Sequence, residues 1–195
     1  MIILSSYGFR QIITSEKICD ELKNTSGSML IIPLASESPD IASAEEKKGA
    51  VKCGFSADKI DIYTHSNHDI ITKKNYDNIA VLGGNTFRLL YFVKKYGLDE
   101  FIKSQISRGS NYLGFSAGAY LLCKNLEYVK QFDDDNYICT SHYDYSGLDI
   151  INECVICHYD FKGFQAFMGT YGYFDEKPKI LKIKNDEVKV IKAVM

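Results

Sequence analysis

The sequence predicts an α/β protein built on a mostly parallel sheet, and three observations lead there. Short runs of apolar residues alternate with stretches whose apolar positions recur at helical spacing, the pattern of stacked β-α units. The second run, Met29-Leu30-Ile31-Ile32-Pro33-Leu34, is apolar on both faces, as a strand covered by helices on either side must be. The 195 residues contain three prolines and no repeat, low-complexity tract or Pro/Gly/Ser linker, so one domain over residues 1–195 is expected.

Taken in order, Ile2-Ile3-Leu4 is the first strand, and a helix with Ile18, Cys19 and Leu22 on one face follows it. After the second strand, Ser38 can cap a helix, Pro39 suits its first position and Gly54 can close it. Ile60-Asp61-Ile62-Tyr63 and Ile79-Ala80-Val81-Leu82 are the third and fourth strands. Leu89, Phe92, Val93 and Tyr96 then mark one helix, and Leu98, Phe101, Ile102 and Ile106 another. Tyr112-Leu113-Gly114-Phe115 is a strand ending at Ser116, with a helix expected over 117–124. Residues 125–152 are polar and irregular, and Cys154-Val155-Ile156-Cys157 is one more strand. The tail, Lys179–Lys184 and Glu187–Ala193 around Asn185-Asp186, alternates like a β-hairpin.

Composition excludes several classes. Apolar residues make up 46% and charged residues 25%, an ordinary globular profile. With 23 Lys and Arg against 25 Asp and Glu, nothing points to nucleic acid or an anionic membrane as partner. No run approaches the about 18 apolar residues of a spanning helix. The first residues lack the basic and long apolar segments of a signal peptide, so the cytoplasm is the expected address. In that reducing setting the six cysteines read as small buried hydrophobes, not as a disulfide framework.

Gly114-Phe115-Ser116-Ala117-Gly118 is a G-x-S-x-G with a strand before it and a helix after it. A sharp turn there lifts the serine hydroxyl above the carboxyl edge of the sheet and aims the helix-start N–H groups at the same spot. Such a serine needs a base. Among the four histidines, His158 emerges at the carboxyl end of a strand, where open α/β sheets place their ligands. His142, in the irregular stretch, is the second candidate, and His65 and His68 lie in a polar loop. Asp133, Asp134 and Asp135 fall between Ser116 and His158 and could orient the base, in the Ser, Asp, His order of α/β-hydrolases.

Gly83-Gly84-Asn85-Thr86 closes a strand and opens a helix, so its glycines permit close backbone approach and Asn85 can cap. It is no phosphate loop, because no Gly-Lys-Ser/Thr follows. Cys154-x-x-Cys157-His158 spells a haem-attachment motif, but in a chain without an export signal it reads as strand core. His65-x-x-His68 lacks further ligands near it in sequence, and no metal or cofactor is expected.

Together these pieces resemble the peptidase E family of serine peptidases, which includes cyanophycinase. Ile31-Ile32-Pro33-Leu34-Ala35 is similar to the family's second-strand motif, and Val81 to Leu90 to its glycine-asparagine-threonine signature. Leu113 to Ala119 is similar to its nucleophile turn, and Gly147-Leu148-Asp149 through Cys157-His158 to the approach to its histidine. The resemblance implies a flavodoxin-like three-layer sandwich related to the class I glutamine amidotransferases. It implies Ser116 as nucleophile, His158 as general base, and the amides of Gly84 and Ala117 as oxyanion donors beside Gly83 and Asn85. Its acid follows the serine by a little under twenty residues, which selects the aspartate cluster, with Asp133 favoured and Asp134 next. The family's aspartyl dipeptidase carries an arginine in the segment after the histidine. Here Tyr159 to Gln165 has none, with Lys162 as the available point charge; the chain's arginines are Arg10, Arg88 and Arg108. The expected activity is hydrolysis of small peptides by a monomer or homodimer. The alternatives are an esterase or amidase with the same triad, or a non-catalytic binding protein that retains the fold.

Overall fold

The computed structural model describes residues 1–136, 144–160 and 179–191. Along the chain these form β1 (Ile2–Ser5), α1 (Ile12–Leu22), β2 (Met29–Ile32), α2 (Pro39–Lys52), β3 (Ile60–Ile62), α3 (His68–Ile71) and β4 (Asn78–Val81). There follow α4 (Thr86–Lys95), α5 (Leu98–Ser107), β5 (Asn111–Phe115), α6 (Ala117–Tyr120), β6 (Cys154–Ile156), β7 (Ile180–Lys182) and β8 (Val188–Ile191).

Six strands make the main sheet in the order β3-β2-β4-β5-β1-β8. All neighbours are parallel except β8, which runs antiparallel to β1 with Val188 opposite Ser5 and Ile191 opposite Ile2. Alternate residues along each strand serve opposite faces. Ile2, Leu4, Leu30, Ile32, Ile79 and Val81 pack with Phe87 and Leu90 of α4 and Ile102 of α5. Ile3, Met29, Ile31, Ala80 and Leu113 pack with Ile18 and Leu22 of α1 and Ala50 of α2. The molecule is thus the expected mostly parallel α/β sandwich of three layers.

Local chemistry explains the element ends. Pro39 occupies the first position of α2, and Gly54 beyond its end takes φ 103°, a conformation that an L side chain rarely adopts. The Asn85 side chain accepts the Arg88 N–H at 2.8 Å and so caps α4. No helix among the described residues is long and apolar enough to cross a membrane.

Three expectations are corrected. The helix after Ser116 stops at Tyr120 instead of reaching 124, because the chain there docks on later backbone: Leu148 N–H donates to the Leu121 carbonyl at 2.8 Å and Ile150 N–H to that of Leu122 at 2.9 Å. The C-terminal hairpin does not form. β7 pairs in parallel with β6 in a separate two-stranded sheet, while β8 joins β1. Cys19 of α1 and Cys53 just past α2, read as unlinked hydrophobes, are joined as a disulfide with their Cα atoms 5.9 Å apart. Both helices lie on one face of the sheet, a proximity that 34 residues of sequence separation conceals.

Candidate active site

β4, β5 and β1 are neighbours and end at the same edge, so the loops that follow them meet. At the end of β5 the chain turns within one residue. Ser116 takes φ 49° and ψ −107°, a region that costs a non-glycine residue about 1–3 kcal/mol. Its N–H donates to the Ser5 carbonyl at 2.9 Å, which ties the turn to β1. The turn fits only because Gly118 lacks a side chain: a Cβ there would lie 2.1 Å from the Val81 carbonyl oxygen. Gly84, after β4, has φ 142° and leaves no room for a Cβ, which would lie 2.3 Å from the Ala35 carbonyl oxygen. The point where a Gly83 Cβ would stand is 3.1 Å from the Cβ of Ser116. The N–H groups of Gly84 and Ala117 make no hydrogen bond among the described residues.

His158 follows β6, also in a left-handed conformation at φ 57°. Buried tyrosine hydroxyls anchor its strand. Tyr128 Oη donates to the Val155 carbonyl at 2.7 Å, and the Cys157 N–H donates to Tyr120 Oη at 3.1 Å. Burial pushes both phenols far above their ordinary range, which keeps them neutral. The His158 N–H donates to Ser6 Oγ at 2.8 Å, and Ser6 Oγ donates to the Ile183 carbonyl at 3.1 Å. The Tyr7 ring meets the imidazole edge-on with 5.0 Å between centroids.

These supports bring Nε2 of His158 to 3.2 Å from Oγ of Ser116. Nδ1 of His158 lies 2.8 Å from Oδ1 of Asn185. An amide oxygen only accepts, so Nδ1 carries the proton and Nε2 presents its lone pair to the serine hydroxyl. Asn185 arrives by register. β6 and β7 pair Cys154 with Ile180 and Ile156 with Lys182, and the ladder continues through Ile183 N–H to the Ile156 carbonyl at 2.9 Å and Tyr159 N–H to the Ile183 carbonyl at 3.1 Å. The Asn185 N–H then donates to Asp160 Oδ2 at 2.9 Å.

Ser116, His158, Gly83, Gly84 and Ala117 lie together at this edge of the sheet. The aspartates do not join them. Asp133 Oδ2 accepts the Thr86 N–H at 2.8 Å and so serves the start of α4, a need of that helix's unpaired first amides. The Asp134 carbonyl accepts from Asn85 Nδ2 at 2.7 Å, and Asp135 accepts from Tyr145 Oη at 3.0 Å. The position expected for Asp133 or Asp134 beside His158 is held by Asn185, a residue whose place in the sequence suggests a hairpin turn. His68 bonds Tyr63 and His65 stacks on Tyr96, away from Ser116. His142 and Lys162 lie outside the described residues.

A pocket of about 280 Å³ opens beside Ser116 and His158, walled by Gly83, Gly84, Arg10 and Glu46. Glu46 and Arg10 carried no signal in the sequence beyond being charged. Glu46 accepts the Arg10 N–H at 3.3 Å and faces Arg10 Nε at 3.7 Å. Its burial pushes the carboxyl up to about 7, with the Arg10 charge and backbone hydrogen bonds from Phe9 and Arg10 acting in the opposite direction. No group of three or more metal-ligating His, Cys, Asp or Glu side chains occurs among the described residues.

Comparison with known proteins extends these observations. The model of Peptidase family S51 matches residues 1–192. A protein from Listeria innocua named as an uncharacterised peptidase is 32% identical over 136 residues, which is 68% of this chain and 65% of that protein. Its namesake from Listeria monocytogenes is 30% identical over 170 residues, covering 85% of this chain and 82% of that one. A Peptidase E from Nostoc is 32% identical over 113 residues, 55% of this chain and 46% of the enzyme. Among solved structures, a candidate peptidase E protein from Listeria monocytogenes superposes with a TM-score of 0.77 at 24% identity, covering 96% of this chain and 91% of that one, and so shares the fold. Matched by the family model over almost its whole length, the chain belongs to peptidase family S51 and is a serine peptidase.

Proposed function

We propose that the chain hydrolyses small peptides through an acyl-enzyme on Ser116. One observation carries this reading: the 3.2 Å approach of His158 Nε2 to a serine Oγ held in a strained strand-to-helix turn. His158 takes the hydroxyl proton as Oγ attacks the peptide carbonyl carbon. The carbonyl oxygen becomes an oxyanion and accepts from the amides of Gly84 and Ala117. Collapse of this intermediate expels the amine, which leaves with the proton from His158. Water then repeats the sequence on the ester and frees the acid and Ser116.

Asn185 is the third member in this scheme. Its oxygen selects the productive tautomer, as in the Cys-His-Asn arrangement of other peptidases, without adding a negative charge beside the imidazolium. The test is a panel of dipeptides and matched esters offered to the wild type and to Ser116→Ala. Peptide hydrolysis by the wild type that is lost in the folded variant is expected. Turnover of esters alone moves the reading to an esterase, and no turnover at all moves it to a binding protein.

A further inference from the structure

The pocket beside Ser116 contains a charged pair that this chemistry does not use, Glu46 and Arg10. The Glu46 side chain is 6% exposed and that of Arg10 50% exposed, so one charge is sunk in protein and its partner stands half in water. The burial is built in by close packing. Gly49, one turn further along α2, has no room for a Cβ, which would lie 2.4 Å from the Phe9 carbonyl oxygen, so the helix presses directly on the loop after β1. Gly8 in that loop is equally constrained. A Cβ there would lie 2.5 Å from both Glu46 Oε2 and the ring of Phe115, the residue before Ser116. The carboxylate is thereby wedged next to the nucleophile's own strand.

Its compensation is thin. Burying a carboxylate costs several kcal/mol, roughly, unless close hydrogen bonds and an opposite charge offset it. Glu46 receives the backbone N–H of Arg10 at 3.3 Å, a second backbone hydrogen bond from Phe9, and only a half-exposed guanidinium nitrogen at 3.7 Å as its opposite charge. Burial pushes the carboxyl up to about 7, more than Arg10 and these hydrogen bonds bring it down. A wall residue in that condition, beside a serine that acylates, is complementary to a cation carried by the substrate.

We infer that Glu46 recognises an ammonium group on the residue that acylates Ser116, with Arg10 holding the carboxylate until the substrate arrives. The inference rests on the serine peptidase reading above. The ammonium has two sources, the free α-amine of an N-terminal residue or a lysine side chain, and the test separates them.

Three p-nitroanilides supply the probes: alanyl, with a free α-amine; acetyl-alanyl, with no cation; and acetyl-lysyl, with a side-chain cation only. They are compared on the wild type, Glu46→Gln and Glu46→Asp. A neutral fluorophosphonate, followed by mass, reports the reactivity of Ser116 independently of substrate charge. A charge-assisted contact predicts that the wild type prefers one cationic probe to acetyl-alanyl by about tenfold or more in kcat/KM. Preference for alanyl assigns the α-amine, and preference for acetyl-lysyl assigns the side chain. Glu46→Gln should shrink that ratio to within about twofold, chiefly through KM, with the phosphonylation rate unchanged. Glu46→Asp, which keeps the charge, should retain part of the preference. A ratio unaltered in Glu46→Gln, or a wild type that prefers the neutral probe, overturns the assignment to Glu46 while leaving Ser116 in place. A wild type that neither cleaves a probe nor accepts the phosphonate overturns the peptidase reading, and this inference with it.

Discussion

Ser116 and His158 stand 3.2 Å apart but are held by different kinds of structure. Ser116 ends β5, a strand in the middle of the main sheet with β4 and β1 on either side. Its geometry follows from backbone ladders and from glycines that let strands and turns approach. His158 ends β6, whose only neighbour among the described strands is β7, in a sheet of two. Two-stranded units are marginal by themselves. Side chains reached from elsewhere hold this one: Tyr128 and Tyr120 on the strand, Ser6 on the His158 N–H and Asn185 on its ring. The nucleophile is thus placed by main-chain architecture and the base by a set of individual side-chain hydrogen bonds.

The largest expected effect joins the two regions. Ser116→Ala, His158→Ala and the double variant should each lose roughly 10⁴-fold or more in kcat, with the double no worse than either single, because residues that act as a unit are not additive. A double variant whose loss is the product of the singles would separate the two residues. The measurement is peptide hydrolysis at fixed, saturating substrate.

Glu46 probes the rigid side. Folding raises its carboxyl from 4.5 to about 7, so the folded protein holds that proton more tightly than the unfolded chain does. The contribution of Glu46 to stability is therefore fully present below about 4.5 and is lost as pH rises through about 7. Glu46→Gln does not titrate. Its stability relative to wild type should improve by up to about 3 kcal/mol between pH 4.5 and pH 8, read from urea unfolding. A constant difference would show that the carboxyl is compensated after all.

Asn185 probes the assembled side. Asn185→Ala should lower kcat by about 10- to 100-fold, a loss of tautomer control with the nucleophile intact. Asn185→Asp should retain activity and move the acid limb of the pH profile of kcat/KM upward, because a carboxylate beside Nδ1 favours the imidazolium. An unmoved profile would show that the asparagine does not sense the ring.

The smallest effect belongs to Asp133. Asp133→Asn should leave that profile where it is and cost about 1 kcal/mol of stability, the worth of a carboxylate at a helix start. A shifted profile with Asp133→Asn, and none with Asn185→Asp, would return the orienting role to the aspartate.

The same contrast decides what could be read from sequence. The Ser116 side is written in contiguous residues. Apolar runs specify strands, G-x-S-x-G specifies the turn, and Gly83-Gly84-Asn85 specifies the neighbouring loop and its cap. The partner of His158 lies 27 residues away and depends on how β6 and β7 register. Both strands were legible as strands, but alternation says nothing about which strand pairs with which, and Asn185-Asp186 between two alternating runs also fits a hairpin turn. The aspartates were adjacent in sequence and acidic, two properties that a helix start uses as readily as an imidazole does. Glu46 was invisible for a related reason. Its burial comes from α2 pressing on the loop after β1, a tertiary contact with no local signature.

The most direct test of the account is the chemical reactivity of Ser116. The folded wild type, Ser116→Ala and His158→Ala are incubated with a fluorophosphonate, and intact mass and peptide mapping locate the adduct. The account predicts one adduct on Ser116 in the wild type, none in Ser116→Ala, and formation slowed by about 100-fold or more in His158→Ala, since general-base help is worth about that much. No adduct in the wild type, or a rate indifferent to His158, would contradict it.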